Sequence, residues 1–185
     1  FENFPKKKNV FNIGIISNIN PDKNIELFID IVKNVNDKKI KFILVGKLFS
    51  SQINYFRNKL NLLNEIKNKI KWKKNIDDPK KIIKSFDLYI CTSKNESLPL
   101  SILEALSMSI PVISTNVGDV AYVLNKIKCG FIVKPNYKNF VKIIKILNSD
   151  RNKLKKLSKN AKKNIFKNFN IKNYKRLLEN ELFKK

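Results

Sequence analysis

Two rhythms of apolar residues alternate along this chain: short runs rich in Ile, Val and Phe, and longer segments with a helical period. The short runs predict strands at 10–17, 41–46, 69–73, 87–92, 111–115 and 130–133. The longer segments predict helices between them, at 24–35, 53–63, 79–86, 100–108, 119–125 and 138–147. Nearly continuous apolar strands that alternate with helices are typical of a parallel sheet covered on both faces. The pattern therefore predicts an α/β fold.

The pattern changes after residue 150, where apolar residues recur at helical spacing among many lysines. These residues are Leu154, Leu157, Ala161 and Ile165, followed by Tyr174, Leu177, Leu178 and Leu182. We expect two basic amphipathic helices over 151–185 that pack on the same domain, which itself spans 10–150. Residues 1–9 are basic and begin without Met, so we expect them to be a linker from a preceding domain of a longer protein.

Ligands of an open parallel sheet bind beyond the carboxyl ends of the strands. The loops at that edge are INPDKN (19–24), GKLFSS (46–51), TSKNESLPL (92–100) and STNVGD (114–119). Pro99 suits the first turn of the helix after the third loop, because that position needs no N–H donor. The N–H groups around Leu98, Leu100 and Ser101 then face the loop at a positive helix end, which predicts a phosphate site.

Two carboxylates flank this helix start. Glu96 comes just before the helix and Glu104 lies within it. A carboxylate can accept hydrogen bonds from a pair of sugar hydroxyls, since it has two oxygens and no donor. In the competing interpretation, Ser101, Glu104 and Ser107 are the solvated stripe of an amphipathic helix and Glu96 is an ordinary loop charge. On spacing alone, the competing interpretation is the stronger.

Charge adds a further expectation. The 185 residues carry a net charge of +24, which favours anionic partners such as nucleotides, phospholipid headgroups or nucleic acid. Drift in an AT-rich genome would also enrich Lys, Asn and Ile, and we weigh the two explanations equally. The absence of His excludes a His-based triad and most zinc sites. Cys91 and Cys129 lie in apolar runs and are expected to be buried thiols, and no apolar run approaches a membrane span.

The segment from Glu96 to Ile113 resembles the E-x7-E region of the large retaining GT-B glycosyltransferase family, family 4. Its ESLPL and EAL motifs are followed by PVI at 111–113. The resemblance covers nearly the whole chain. Similar stretches are SNINPDK at 17–23 (the family's G-R-x-x-x-x-K loop), LVG at 44–46, TNVG at 115–118 and GFIV at 130–133. It implies the Rossmann-like, doubly wound C-terminal domain of a GT-B enzyme, which binds the nucleotide-sugar donor.

The resemblance also implies roles for single residues. Glu96 would bind hydroxyls of the donor sugar and Glu104 those of the ribose. Backbone groups of Ser97, Leu98, Pro99 and Leu100 would face the diphosphate, which Lys23 and the residue at Asn18 would contact. Catalysis would depend on Glu96 and Lys23 through positioning of the donor and stabilisation of the leaving diphosphate, with no metal and no other cofactor.

The chain departs from the family pattern at four positions. Asn18 replaces the usual Arg, which removes one of two cations expected at the diphosphate, and Lys47 is a candidate to supply the missing charge. Asn24 replaces a usual Gly. Asp119 and Tyr122 occupy positions where Gly and Glu are frequent.

We therefore expect the donor half of a cytoplasmic enzyme that transfers a hexose-type sugar from a nucleoside-diphosphate sugar to a glycan or a lipid-linked acceptor. The expected partners are this donor, an N-terminal Rossmann-like domain and an anionic membrane surface at the inner face of the membrane. The basic face of 151–185 would provide the membrane contact, although a merely solvated face also explains it. Alternatives are a GT-B sugar epimerase, a degenerate non-catalytic copy, or a nucleic-acid-binding module. Charge alone supports the last, and we expect no specific nucleic-acid partner.

Overall fold

The computed structural model describes residues 10–46, 61–74, 76 and 78–169. Its strands are β1 (Phe11–Ile16), β2 (Ile40–Val45), β3 (Ile70–Lys73), β4 (Leu88–Cys91), β5 (Val112–Thr115) and β6 (Gly130–Val133). Its helices are α1 (Ile25–Asn34), α2 (Lys80–Ile83), α3 (Leu100–Ser107), α4 (Val120–Ile127), α5 (Tyr137–Ser149) and α6 (Arg151–Asn168). Residues 61–65 are also helical. The expected linker 1–9, Lys47 and the second C-terminal helix lie outside the described residues.

The strands form one parallel sheet in the order β3-β2-β1-β4-β5-β6. This is the doubly wound Rossmann order, so the predicted fold class is confirmed. β1 lies in the middle of the sheet, with β2 and β3 on one side of it. β4, β5 and β6 then follow on the other side of β1. The sheet order reverses between β1 and β4, and the loops that follow these two strands are therefore neighbours at the carboxyl edge.

Apolar side chains from the strands feed two separate cores, one on each face of the sheet. Phe11, Ile13 and Ile15 of β1 belong to a core that α1 and α5 cover. On β4, Tyr89 and Cys91 point to the opposite face, which α3, α4 and α6 cover. Both faces of inner strands such as β4 and β5 are buried, and this explains why their sequences are continuous apolar runs without alternation.

The first C-terminal helix forms as expected and packs under the sheet. Leu154, Ser158, Ala161 and Ile165 form the buried side of α6. The Ser158 hydroxyl donates to the carbonyl of Ser109, and the Asn160 amide donates to the carbonyl of Lys128. These bonds attach α6 to the ends of α3 and α4. No helix in the described part of the chain is both long and apolar enough to span a membrane.

One helix is shorter than predicted. The segment 79–86 forms helix only at Lys80–Ile83, because the Ser85 hydroxyl donates to the Ile82 carbonyl and Phe86 turns into the core. Both cysteines are buried free thiols, as expected. Burial raises the pKa of Cys129 to about 12, so this thiol stays protonated.

Candidate functional site

Lys23 and Glu96 meet where the sheet order reverses. Their side chains form an ion pair across 73 residues of sequence, with 26% and 15% of each side chain exposed. Lys23 ends a short 3-10 turn, Pro21–Lys23, in which the Asn20 side chain accepts a hydrogen bond of 3.1 Å from the Lys23 N–H. The loop after β4 is tied to this turn, because the Lys94 N–H donates to the Asp22 carbonyl at 2.6 Å. The structure thus brings together the two residues that the resemblance made catalytic.

Three buried hydroxyl groups hold this pair, or the backbone next to it, by hydrogen bonds. The Ser93 hydroxyl donates to Glu96 Oε1 at 2.9 Å, and the Thr92 hydroxyl donates to the Lys23 carbonyl at 2.9 Å. The Thr115 hydroxyl, at the end of β5, donates to the Ser93 carbonyl at 2.6 Å. All three side chains are buried. None of the three was predicted as a site residue. Short hydroxyl side chains at the ends of strands are visible in the sequence, but their link to Glu96 depends on the pairing of β4 with β5.

The helix α3 begins at the predicted residue, but Pro99 lies just before its first turn and not within it. Leu100 is its first residue, and Pro99 takes the preceding cap position with φ −64° and ψ 119°. Leu98 and Pro99 are at least partly buried, whereas Ser97 and Leu100 are exposed beside the ion pair. An α-helix starts here with its N–H groups directed at the loop, which keeps the site suitable for an anion.

The Glu104 carboxylate, in the second turn of α3, is half-buried and has no hydrogen bond to another described residue. Ser101 and Ser107, which would form a solvated stripe with Glu104 in the competing interpretation, both make hydrogen bonds within the protein. Ser101 Oγ lies 2.8 Å from the hydroxyl of Tyr89, and the Ser107 hydroxyl donates to the Glu104 carbonyl. Burial raises the pKa of Tyr89, which therefore stays neutral and can donate. Glu104 remains as the group with free acceptors.

Gly118 fixes the loop before α3 from the β5 side. It adopts φ +43°, and a Cβ there would lie 1.7 Å from the Ser97 carbonyl oxygen. The next N–H, of Asp119, donates to that same oxygen at 2.8 Å. The β5 loop is therefore packed directly on the backbone of residues 96 and 97, and only glycine fits at the contact.

Asn18 and Asn24, two of the four departures from the family pattern, lie in the loop that carries Lys23. Asn18 is exposed in the same loop as Lys23. Asn24 has φ 50° and ψ 55°, a left-handed conformation that Gly adopts freely and Asn tolerates. The replacement of Gly at this position therefore keeps the backbone geometry.

A pocket of about 450 Å³ adjoins the ion pair on the side of β5 and β6. Ser93 and Thr115 line its inner wall, and the exposed Lys94, Asn116 and Lys134 stand at its rim. On the other side of the site, the Trp72 indole N–H donates to the Gly46 carbonyl at 3.3 Å, and the Lys74 ammonium lies 4.2 Å from the centre of the ring. The pocket thus provides space beside Ser93, on the β5 and β6 side of Lys23 and Glu96.

A doubly wound sheet with a cation, two carboxylates and a helix N-terminus at its switch point is typical of a domain that binds nucleotides. The sequence profile of the family described as glycosyl transferases group 1 matches residues 1–164. The chain belongs to this family.

Relatives and solved structures agree with this assignment. The chain is 27% identical over 173 residues to the UDP-Gal:alpha-D-GlcNAc-diphosphoundecaprenol alpha-1,3-galactosyltransferase of Escherichia coli, covering 89% of this chain and 43% of that protein. Its fold is similar to that of Anabaena HepE in complex with UDP, with a TM-score of 0.85, 21% identity and coverage of 94% and 49%.

A third similar structure has nearly the same extent as this chain. It is the C-terminal domain of the group 1 glycosyl transferase LpcC of Francisella tularensis, with a TM-score of 0.74 and 19% identity, and coverage of 86% and 85%. By contrast, the chain spans less than half the length of the curated relative it matches.

Proposed function

We propose that this chain is the donor-binding half of a retaining glycosyltransferase that transfers a hexose-type sugar from a nucleoside-diphosphate sugar. The observation that carries the proposal is the Lys23–Glu96 pair at the switch point, in front of the N-terminus of α3. A uridine nucleotide is the first choice, since the similar enzyme from Escherichia coli is named for UDP-Gal and HepE was crystallised with UDP.

The proposed division of labour assigns each group the role that the family resemblance implies. The N–H groups at the start of α3 and the Lys23 ammonium stabilise the diphosphate, both bound and departing. Glu96 accepts hydrogen bonds from sugar hydroxyls, and Glu104 accepts them from the ribose. The acceptor, a glycan or a lipid-linked sugar, binds between this domain and an N-terminal Rossmann-like domain. The proposal needs no metal, because Lys23 supplies the positive charge.

Donor binding also requires Lys23 to change partners. Its ammonium now pairs with Glu96, and both groups would act on the donor in the complex. A diphosphate carries more negative charge than one carboxylate, so it can draw the ammonium away from Glu96. Glu96, whose Oε2 already has no hydrogen bond to a described residue, then no longer shares its charge with Lys23 when it accepts from the sugar hydroxyls. The pair therefore keeps the two groups in place and solvated only in part until a donor arrives.

Calorimetric titration of the 185-residue chain tests the proposal. We expect UDP to bind, and UDP-galactose or UDP-glucose to bind more tightly, with no sugar transfer by this chain alone. Glu96→Ala should weaken binding of the sugar nucleotide more than that of UDP, whereas Glu104→Ala should weaken both. Each lost charged hydrogen bond costs about 1.5–3 kcal/mol, or roughly ten- to a hundredfold in affinity.

Glu65→Ala is the matched control, because Glu65 is an exposed carboxylate that pairs with Lys33 away from the site. It should leave both affinities unchanged. If Glu96→Ala and Glu104→Ala behave like Glu65→Ala, the two carboxylates are ordinary surface charges and the proposed site is wrong.

We also propose that the whole protein acts at the inner face of the membrane, held there peripherally. Support comes from the charge of the region after β5 and α3: from Val120 to Phe169, fourteen Lys and Arg residues stand against a single acidic residue, Asp150. Anionic headgroups attract such a surface.

A further inference from the structure

We infer that Ser93 is a positioning residue, which holds the Glu96 carboxylate ready for the donor sugar after Lys23 has moved to the diphosphate. This inference rests on the proposed function. Among the described residues, Lys23 and Ser93 are the two groups that bond to the Glu96 carboxylate. When Lys23 turns to the diphosphate, Ser93 is the group that remains.

Both contacts are made to the same oxygen of Glu96. Lys23 and Ser93 each donate to Oε1, and Oε2 has no hydrogen bond to any described residue. One oxygen therefore fixes the orientation of the carboxylate and the other stays available as an acceptor. A sugar hydroxyl can bind Oε2 without displacing Ser93, whereas it could not replace both donors at Oε1.

The Ser93 hydroxyl is itself held in a single orientation. Cys91 Sγ lies 3.5 Å from Ser93 Oγ on the opposite side, and a thiol in this place acts as a weak donor. The serine proton is then directed to Glu96. The backbone of Ser93 is fixed as well, because its carbonyl accepts the hydroxyl of Thr115 from the adjacent strand β5.

The hydrogen bonds of Ser93 tie the position of the Glu96 carboxylate to the sheet. Ser93 lies two residues after the end of β4 and Thr115 ends β5, and the two strands pair in register from Tyr89–Val112 to Cys91–Ser114. A flexible loop alone would leave the carboxylate to be ordered when the sugar binds, at a cost in affinity. A hydroxyl anchored on two strands prepares it in advance.

Titration of UDP, UDP-galactose and UDP-glucose into wild type and Ser93→Ala tests the inference. We expect Ser93→Ala to leave the affinity for UDP unchanged and to reduce the extra affinity that the sugar provides by about tenfold, as for a lost hydrogen bond to a charged group. Ser93→Thr should restore the extra affinity, because it keeps the hydroxyl and its added methyl group can enter the adjoining pocket, which Ser93 lines.

Ser158→Ala is the control. Ser158, like Ser93, is a buried serine. It lies on α6, away from the site, and its hydroxyl donates to the Ser109 carbonyl. It should change the melting temperature without changing the preference for sugar nucleotides over UDP. Ser93→Cys keeps nearly the same shape with a poor donor, and it replaces Ser93→Ala if that variant does not fold.

The outcomes separate this inference from the proposed function. Equal losses for UDP and the sugar nucleotides in Ser93→Ala, or no loss for either, would overturn the positioning role while wild-type binding upholds the proposed function. A wild-type chain that binds none of the three ligands would remove the proposed function, and the inference with it.

Discussion

At Asn18 the family resemblance implies an Arg, a cation expected at the diphosphate. Asn18 is exposed in the loop that carries Lys23, and the cap of the following turn is Asn20. An amide can donate one hydrogen bond but adds no charge. A guanidinium would add a planar pair of charged donors that matches phosphate oxygens.

We therefore expect Asn18→Arg to tighten UDP binding by about 1–2 kcal/mol. Titration of UDP into wild type and variant at one salt concentration measures this, and Asn18→Gln serves as a control that lengthens the side chain without adding charge. Unchanged affinity together with a lower melting temperature would show that Asn18 has a local structural role and does not face the diphosphate.

Asn24 shows how a departure in sequence can leave the structure unchanged. The Gly that the family resemblance implies at this position would suit a special backbone conformation, and the structure has one: the left-handed conformation that joins the 3-10 turn to α1. Asn is the side chain that tolerates this conformation best. The sequence alone shows only that Gly is missing, because a required φ angle depends on the turn that surrounds it.

At the scale of elements, the strands were predictable and the network between them was not. All six strands and the helices after β1, β4, β5 and β6 lie where the apolar pattern placed them. The inner strands are apolar on both faces, whereas the edge strand β3 alternates Ile70 and Trp72 with lysines. The resemblance brought Lys23 and Glu96 to one site. Ser93 and Thr115 could not be connected to Glu96, because that contact requires β4 and β5 to be neighbours in space.

Pro99 shows that the exact position of a helix start is harder to predict from sequence than the helix itself. Its fixed φ suits either the first helical position or the one before it, and the structure uses the one before. The difference of one residue moves the first free N–H groups toward Leu100 and Ser101. Local sequence predicts that a helix starts here, and in the structure the preceding Leu98 packs on the core that α3, α4 and α6 cover.

Gly118 provides a test at this scale, because it joins the loop after β5 to the loop before α3. Gly118→Ala places a Cβ against the carbonyl of Ser97 in a backbone region that disfavours Ala. We expect a loss of about 2–3 kcal/mol in the free energy of unfolding, and weaker UDP binding because residues 97–100 are displaced. Denaturant unfolding and UDP titration measure the two effects.

Asp119→Ala is the neighbouring control. Its backbone N–H still donates to Ser97, and its exposed side chain makes no cap bond on α4. It should change stability by less than about 0.5 kcal/mol. Wild-type stability and UDP affinity in Gly118→Ala would contradict the proposed dependence of the phosphate site on the β5 loop.

At the scale of the whole molecule, the uneven distribution of charge bears on its origin. Residues 10–119 contain seventeen basic and eleven acidic residues, whereas residues 120–169 contain fourteen and one. Drift in base composition enriches lysine throughout a chain and does not by itself concentrate it in one region. The asymmetry therefore favours a selected basic surface over a uniform shift in composition.

The helix α6 carries much of this surface. Leu154, Ala161 and Ile165 face the core, and the exposed lysines lie on the opposite side along an axis of about 27 Å, at 1.5 Å per residue. These lysines are Lys153, Lys155, Lys156, Lys159, Lys162, Lys163 and Lys167. Without an acidic residue between them, they present one continuous positive strip to a planar anionic surface.

We expect the chain to sediment with vesicles that contain phosphatidylglycerol and not with neutral vesicles. The attachment should fade as salt rises, since charges are screened within about 8 Å at physiological ionic strength. Replacing Lys155, Lys156 and Lys163 together by Gln should weaken it at least tenfold, because each lysine near such a surface contributes about 1 kcal/mol.

The matched control replaces Lys38, Lys39 and Lys41 by Gln; these lysines are also exposed but lie near the start of β2. Net charge falls by the same amount in both triple variants, so any difference between them reflects position. Equal weakening by both would indicate that overall charge alone attracts the vesicles, and equal sedimentation with neutral vesicles would contradict the proposed location at the membrane.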